Sequence, residues 1–159
     1  PDGEHDVRHG GQVSLPGGVI EPGESVDAAA VRETREEVAL DAPDLRVLGH
    51  LTPLDIPVSG FRLHPVVAST VTRPRFAPAD AEVARILEVP VATLLDASCL
   101  GTQPMVRGAL SLDVPVFRID DVAIWGATAM VLAEFLTLLG WPPKCAQRSR
   151  FRAVRARIR

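Results

Sequence analysis

The sequence predicts a mixed fold of the α+β or α/β sandwich kind. Three observations carry that expectation: an amphipathic helical segment near the start, a middle section of short strand-like runs, and an apolar helical segment near the end. At 159 residues and 47% hydrophobic content, the chain has the size of one domain with a substantial core.

The elements follow in order. Gln12–Leu15 alternates as a short strand would and stops at Pro16-Gly17-Gly18, which suits neither a strand nor a helix interior. After the loop "EPGES", the residues Val26, Ala30, Thr34 and Val38 recur every four positions. They predict a helix from Ser25 to Val38, ending near Leu40 before Asp41-Ala42-Pro43. Strand-like runs at Leu45–Leu51, Phe61–Val71 and Glu82–Val89 are bounded by proline, glycine or aspartate. Val91–Leu95 reads as a helical turn, and Met105–Leu112 and Val114–Ile119 as further strands. Trp125–Gly140 reads as a second helix, closed by Gly140 and Pro142-Pro143, with Trp125 and Phe135 in the core.

Composition excludes several classes. No apolar run approaches the roughly 20 residues of a membrane span, and the polar start "PDGEHDVRHGG" has no signal-peptide pattern, so a cytoplasmic protein is expected. Beginning at Pro1 rather than methionine, the sequence reads as a fragment or a processed form. Cys99 and Cys145 match neither a disulfide framework nor a zinc pattern. The net charge of −3 hides an asymmetry, since Lys144–Arg159 holds seven basic residues and no acidic ones. A domain over 1–143 is therefore acidic, and 144–159 is expected to be a basic, solvated tail. An acidic body argues against a nucleic-acid groove on the domain itself.

The chemistry concentrates on the first helix. Residues three and four apart share a helix face, so Glu33, Glu36 and Glu37 present carboxylates together and repel one another by about 0.2–0.5 kcal/mol per pair. Arg32 stands four residues before Glu36, but no cation lies three or four positions from Glu33 or Glu37. Carboxylate oxygens without such a neighbour suit a hard ion such as Mg²⁺ or Mn²⁺. A solvated acidic face is the other reading of the same run. Gly17, Gly18 and Gly23 just upstream favour the ion, because they let backbone come close to a metal or phosphate.

Gly18, Glu24, Arg32, Glu33, Glu36, Glu37 and Leu40 fall in register with G-x5-E-x7-R-E-U-x-E-E-x-G-U, where U is a bulky aliphatic. The segment thus resembles the Nudix box. Two positions depart: Thr34 replaces an aliphatic and would need a hydroxyl partner, such as the carbonyl one turn back. Ala39 replaces the final glycine, which costs about 1–2 kcal/mol if the position needs positive φ and nothing if the helix continues.

"GGQVSLPGG" is similar to the G-x3-F-P-G-G signature of the coenzyme A diphosphatase branch of that family, with Leu15 in the phenylalanine position. Val7 stands where the branch has an arginine, with Arg8 adjacent. "PVVAS", "AEVARILEVPVATLL" and "IWGATAMVLAEFL" resemble the branch in order and spacing, from about His9 to Trp141; its preceding "LLTxR" strand is absent.

The resemblance implies a Nudix-type α/β/α sandwich with a mixed sheet and metal-dependent hydrolysis of a nucleoside diphosphate derivative. Glu33 and Glu37 would be primary metal ligands, Glu36 a further ligand or water-positioning group, and Arg32 the orienting residue, with Glu24 beside it. The Gly17–Gly18 backbone would complete the site. Glu82 is a candidate distant acid, or else an exposed charge at a strand end. The substrate implied is coenzyme A or a derivative, giving 4′-phosphopantetheine and 3′,5′-ADP, with Arg62, Arg73 and Arg75 as candidates for its 3′-phosphate. ADP-ribose or NADH hydrolysis and a non-catalytic binding module are the alternatives. His9, His50 and His64 stand isolated in the sequence, in neither a Cys–His nor a Ser–His–Asp arrangement.

Overall fold

The structure is a computed structural model that describes residues 13–57, 59–79, 83–107 and 110–141. Helix α1 spans Val26–Val38 and is capped by Ser25, whose side-chain oxygen accepts from the Ala28 backbone N–H at 3.2 Å. Strand β1 (Arg46–His50) pairs antiparallel with β4 (Val66–Ser69), and β2 (Leu54–Ile56) pairs with β3 (Phe61–Leu63). After the short helix α2 (Val91–Leu94), strands β5 (Leu100–Arg107), β6 (Leu110–Ile119) and β7 (Val122–Ile124) form an antiparallel meander, and helix α3 (Gly126–Leu138) follows. The α+β class holds, and every ladder among the described residues is antiparallel.

Among the described residues, two cores organise these elements. Leu94, Phe117, Ile124, Ala129, Leu136 and Trp141 form the larger one, where α3 covers β6 and the Phe117 and Trp141 rings lie 6.4 Å apart. Phe117 and Leu136 are wholly buried, which stabilises by about 1.5–3 kcal/mol for each side chain. The smaller core joins the end of α1 to the chain after it, through Val38, Leu40 and Ala42 with Phe76 and Ile86 against them.

The strand expectations need four corrections. Phe61–Val71 is two strands, not one, because Pro65 interrupts it: proline has no N–H for a ladder, and its carbonyl instead accepts from the Leu51 N–H at 3.0 Å. Residues 83–89 form no strand. There Val83, Ile86 and Val89 are the half-buried positions, a spacing of three where a one-sided strand needs two. Met105–Leu112 straddles the β5–β6 connection, as the Arg107–Leu110 pairing shows. Val13–Leu15 is irregular rather than a strand, although Val13 packs on the larger core and its carbonyl accepts from the Thr128 hydroxyl at 3.1 Å.

The second helix ends as expected. Gly140 takes φ of 91°, and the N–H groups of Trp141 and Gly140 return to the carbonyls of Leu136 and Thr137. Phe135 packs against the core, but Trp125, with extended backbone just before α3, is exposed rather than in the core. The expected basic tail 144–159, along with Val7, Arg8, His9, Glu82 and Cys145, lies outside the described residues.

Candidate active site

The loop before α1 turns at Pro22-Gly23. Proline fixes its own φ, Gly23 supplies φ of 84°, and the Glu24 N–H closes the turn on the Glu21 carbonyl at 3.0 Å. The Glu24 carboxylate folds back to accept from the Glu21 N–H, also at 3.0 Å. This locks Glu24 beside the first turns of α1.

Arg32 is the hub. Its Nε donates to Glu24 Oε1 at 3.0 Å and its Nη2 to Glu24 Oε2 at 2.9 Å, a two-bond fork. Nη1 donates to Glu33 Oε1 at 2.8 Å and to Glu36 Oε2 at 3.1 Å, while Nη2 also reaches the Val19 carbonyl at 3.2 Å. These bonds use the full donor set of a guanidinium. Hydrogen bonding to Glu24, then to Glu33, drives the Arg32 pKa far above the ordinary arginine value. The same fork, helped by the Glu21 N–H, holds the Glu24 carboxyl below the ordinary glutamate range.

The expectation that Glu33 lacks a nearby cation is therefore corrected. Residues one apart on a helix do not face each other as a rule, but a long arginine side chain lying across the helix surface reaches its neighbour. Glu33 is largely buried under this contact, whereas Glu36 is more than half exposed. Glu37 is half-buried, and its backbone carbonyl accepts from the Ala79 N–H at 3.0 Å.

Gly18 sits directly against the Glu33 carboxylate: a Cβ added there would collide with both carboxylate oxygens and their carbon. The missing side chain creates the seat that Glu33 occupies. Glycine at this position thus brings loop backbone and helix carboxylate together. The Thr34 hydroxyl donates to the Ala30 carbonyl at 2.7 Å, the expected partner one turn back. Ala39 has φ of 51° and ψ of 37°, so of the two sequence alternatives the left-handed one is realised.

The donors suit a hard divalent ion: carboxylate oxygens on one helix and the backbone of a glycine without Cβ pressed against one of them. Among the described residues no group of three or more His, Cys, Asp or Glu side chains is already gathered tightly enough to enclose an ion. As placed, Arg32 links Glu33 to Glu36, so the helix holds its acids in a net of hydrogen bonds rather than in a closed cage.

Two contacts escaped sequence reasoning. The Val19 carbonyl joins the arginine hub, and His50 Nε2 pairs with Asp27 Oδ1 at 2.6 Å. The second corrects the view of His50 as isolated; its partner lies 23 positions away, on another element, and no local motif signals it. Arg62 and Arg73 are paired with Asp55 and Glu88, whereas Arg75 is exposed and has no ion pair among the described residues. No helix among the described residues is long and apolar enough to cross a membrane.

Comparison with known proteins agrees with this geometry. The family model described as NUDIX domain matches residues 4–101. Proteins named "Uncharacterized Nudix hydrolase NudL" from Salmonella paratyphi B (strain ATCC BAA-1250 / SPB7), Salmonella newport (strain SL254) and Salmonella heidelberg (strain SL476) are each 33% identical to the chain over 140 residues. Each alignment covers 87% of this chain and 72% of the relative.

Proposed function

Since this chain belongs to the Nudix hydrolases, which use divalent metal ions to split phosphorus-containing anhydrides in small molecules, we propose that its substrate is coenzyme A or a derivative. Hydrolysis of the diphosphate linkage would give 3′,5′-ADP and 4′-phosphopantetheine. One observation carries the hydrolytic reading: Arg32 gathers Glu24, Glu33 and Glu36 while Gly18 seats the Glu33 carboxylate on loop backbone. A solvated acidic face would have no use for a half-buried glutamate pressed against a glycine.

Glu33 and Glu37 are the residues proposed to hold Mg²⁺ or Mn²⁺, with Glu36 and the Gly18 backbone completing the set. When bound, the ion neutralises diphosphate charge and makes water a better nucleophile at neutral pH. The chain's own contribution is orientation. Glu24 fixes the guanidinium, the guanidinium fixes Glu33, and Glu36 is left exposed enough to meet solvent and to position a water.

The coenzyme A part rests on "GGQVSLPGG" and the segments that follow it in branch order. Of the three arginines considered for the 3′-phosphate, Arg75 is the one proposed, because Arg62 and Arg73 already serve carboxylates. The deciding experiment compares hydrolysis of coenzyme A, ADP-ribose and NADH at equal Mg²⁺, with a metal-free control. Preference for coenzyme A is expected; equal turnover of all three would refute the substrate while leaving the chemistry intact.

A further inference from the structure

Glu33 and Glu37 enter the proposed metal site with different kinds of support. Glu33 lies within α1, where Arg32 holds it and Gly18 seats it. Glu37 stands in the last turn, where the carbonyls of a helix have no partner within the helix and the backbone frays most readily. Ala39 takes φ of 51° directly after that turn, and the helix stops.

The carbonyls of the last turn find their partners in a segment distant in sequence. The Ala79 N–H donates to the Glu37 carbonyl at 3.0 Å, and the Ala77 N–H donates to the Val38 carbonyl at 3.1 Å. Both donors lie in the irregular chain that follows β4, with Pro78 between them. Proline fixes its own φ and biases the preceding Ala77 toward extended backbone, which stiffens the short span between the two donors. Phe76 anchors the near end of the span, because it packs on the smaller core that Val38, Leu40 and Ala42 form at the end of α1.

Past Phe76 the segment buries little. Ala77, Pro78 and Ala79 are all exposed, so what they give the helix is the pair of backbone hydrogen bonds rather than core packing. A metal ligand has to be held within about 0.5 Å of its productive position, and a fraying turn does not do that. The bond from Ala79 falls on the one residue of the last turn that is proposed as a primary ligand.

We propose that residues 76–79 form a positioning strap for the metal site, in which the Ala79 N–H fixes the backbone of Glu37 so that its carboxylate meets the divalent ion. The proposal rests on the reading of Glu37 as a metal ligand given above. Ala79 is a positioning residue and acts through Glu37.

The test exchanges Ala79 for L-lactate in the full chain, which turns one amide into an ester, removes the N–H donor and keeps the methyl group. Ala79→Pro removes the same donor and serves as a second variant. Mn²⁺ affinity is read by calorimetry, with Tm measured alongside, in the wild-type and Glu37→Gln backgrounds. Loss of a supporting contact to a ligand costs about tenfold or more in metal affinity. The ester should therefore weaken Mn²⁺ binding by about tenfold in wild type and by less than about twofold in Glu37→Gln, where the group it positions no longer serves the ion. A contact with a merely structural role would cost the same in both backgrounds. That outcome, or wild-type affinity in both Ala79 variants, would overturn the proposal. If Glu37→Gln alone bound Mn²⁺ as wild type does, the ligand role of Glu37 would fall and the strap with it. If Glu37→Gln lost affinity while both Ala79 variants kept it, the strap alone would fall.

Discussion

Arg32 and Glu24 meet in a fork of two hydrogen bonds, at 3.0 and 2.9 Å, across eight residues of sequence. The fork leaves Nη1 of the same guanidinium for Glu33 and Glu36, so Glu24 acts on the helix acids through the arginine. Removing such an outer partner typically costs 10–100-fold in metal affinity or activity. Glu24→Gln is therefore expected to weaken Mn²⁺ binding and hydrolysis by roughly that factor, read by calorimetry and by initial rates. Unchanged Mn²⁺ affinity would show that Arg32 holds Glu33 without help from Glu24.

Ala39 gives a stability prediction of the opposite sign. Its φ of 51° places a Cβ in the left-handed region, at a cost of about 1–2 kcal/mol that glycine escapes. Glycine recovers less than that in full, because its unfolded chain is freer by about 0.4–1 kcal/mol. Ala39→Gly should raise the unfolding free energy by about 0.5–1 kcal/mol, visible as a higher urea midpoint at unchanged slope. A lower midpoint would mean that the helix end does not need the left-handed residue.

Asp44 predicts a pH dependence. Its carboxylate accepts from the Thr70 hydroxyl and from the Val71 and Thr72 N–H groups, tying the end of β4 to the loop before β1. The hydroxyl first, and then the backbone N–H groups, hold its pKa below the ordinary aspartate value. A carboxyl depressed on folding contributes stability that is complete above its unfolded pKa, about 3.9. That contribution is lost as pH falls through the lower folded value. The Tm difference between wild type and Asp44→Asn should thus be constant above about pH 5 and shrink below pH 4. A difference that stays constant down to pH 2 would contradict the assignment.

How much of this could be read from the chain alone follows from where each interaction lies. The α1 boundaries, the Ser25 start and the Gly140 stop are local, set by residues within one turn of each other, and the sequence specified them closely. The Thr34 hydroxyl partner was legible for the same reason. Strand limits were not, because a strand is completed by backbone elsewhere: Phe61–Val71 reads as one strand-like run, yet Pro65 divides it between two partners, β2 and β1. At the site, helical spacing showed which acids share a face. It could not show that Arg32 would lie across its own neighbour, since that depends on Glu24 and Val19 holding the guanidinium from the loop. The Asp27–His50 pair, between α1 and β1, left no trace in sequence spacing.

Gly18 separates a site built on backbone approach from one built on charge alone. The position is exposed, so adding a methyl group removes little from the hydrophobic core and should leave Tm nearly unchanged. The same methyl group would strike the Glu33 carboxylate, whose Oε1 already accepts from Arg32. Gly18→Ala must therefore displace either the loop or the carboxylate. A metal site dependent on both should lose about 10–100-fold in Mn²⁺ affinity, a misplaced ligand acting much like a lost supporting contact. Glu33→Gln, which keeps the shape and removes the charge, should lose at least as much. Were Gly18→Ala to bind Mn²⁺ as wild type does while Glu33→Gln fails, the carboxylate would still matter but the glycine seat would not, and Gly18 would leave the proposed ligand set.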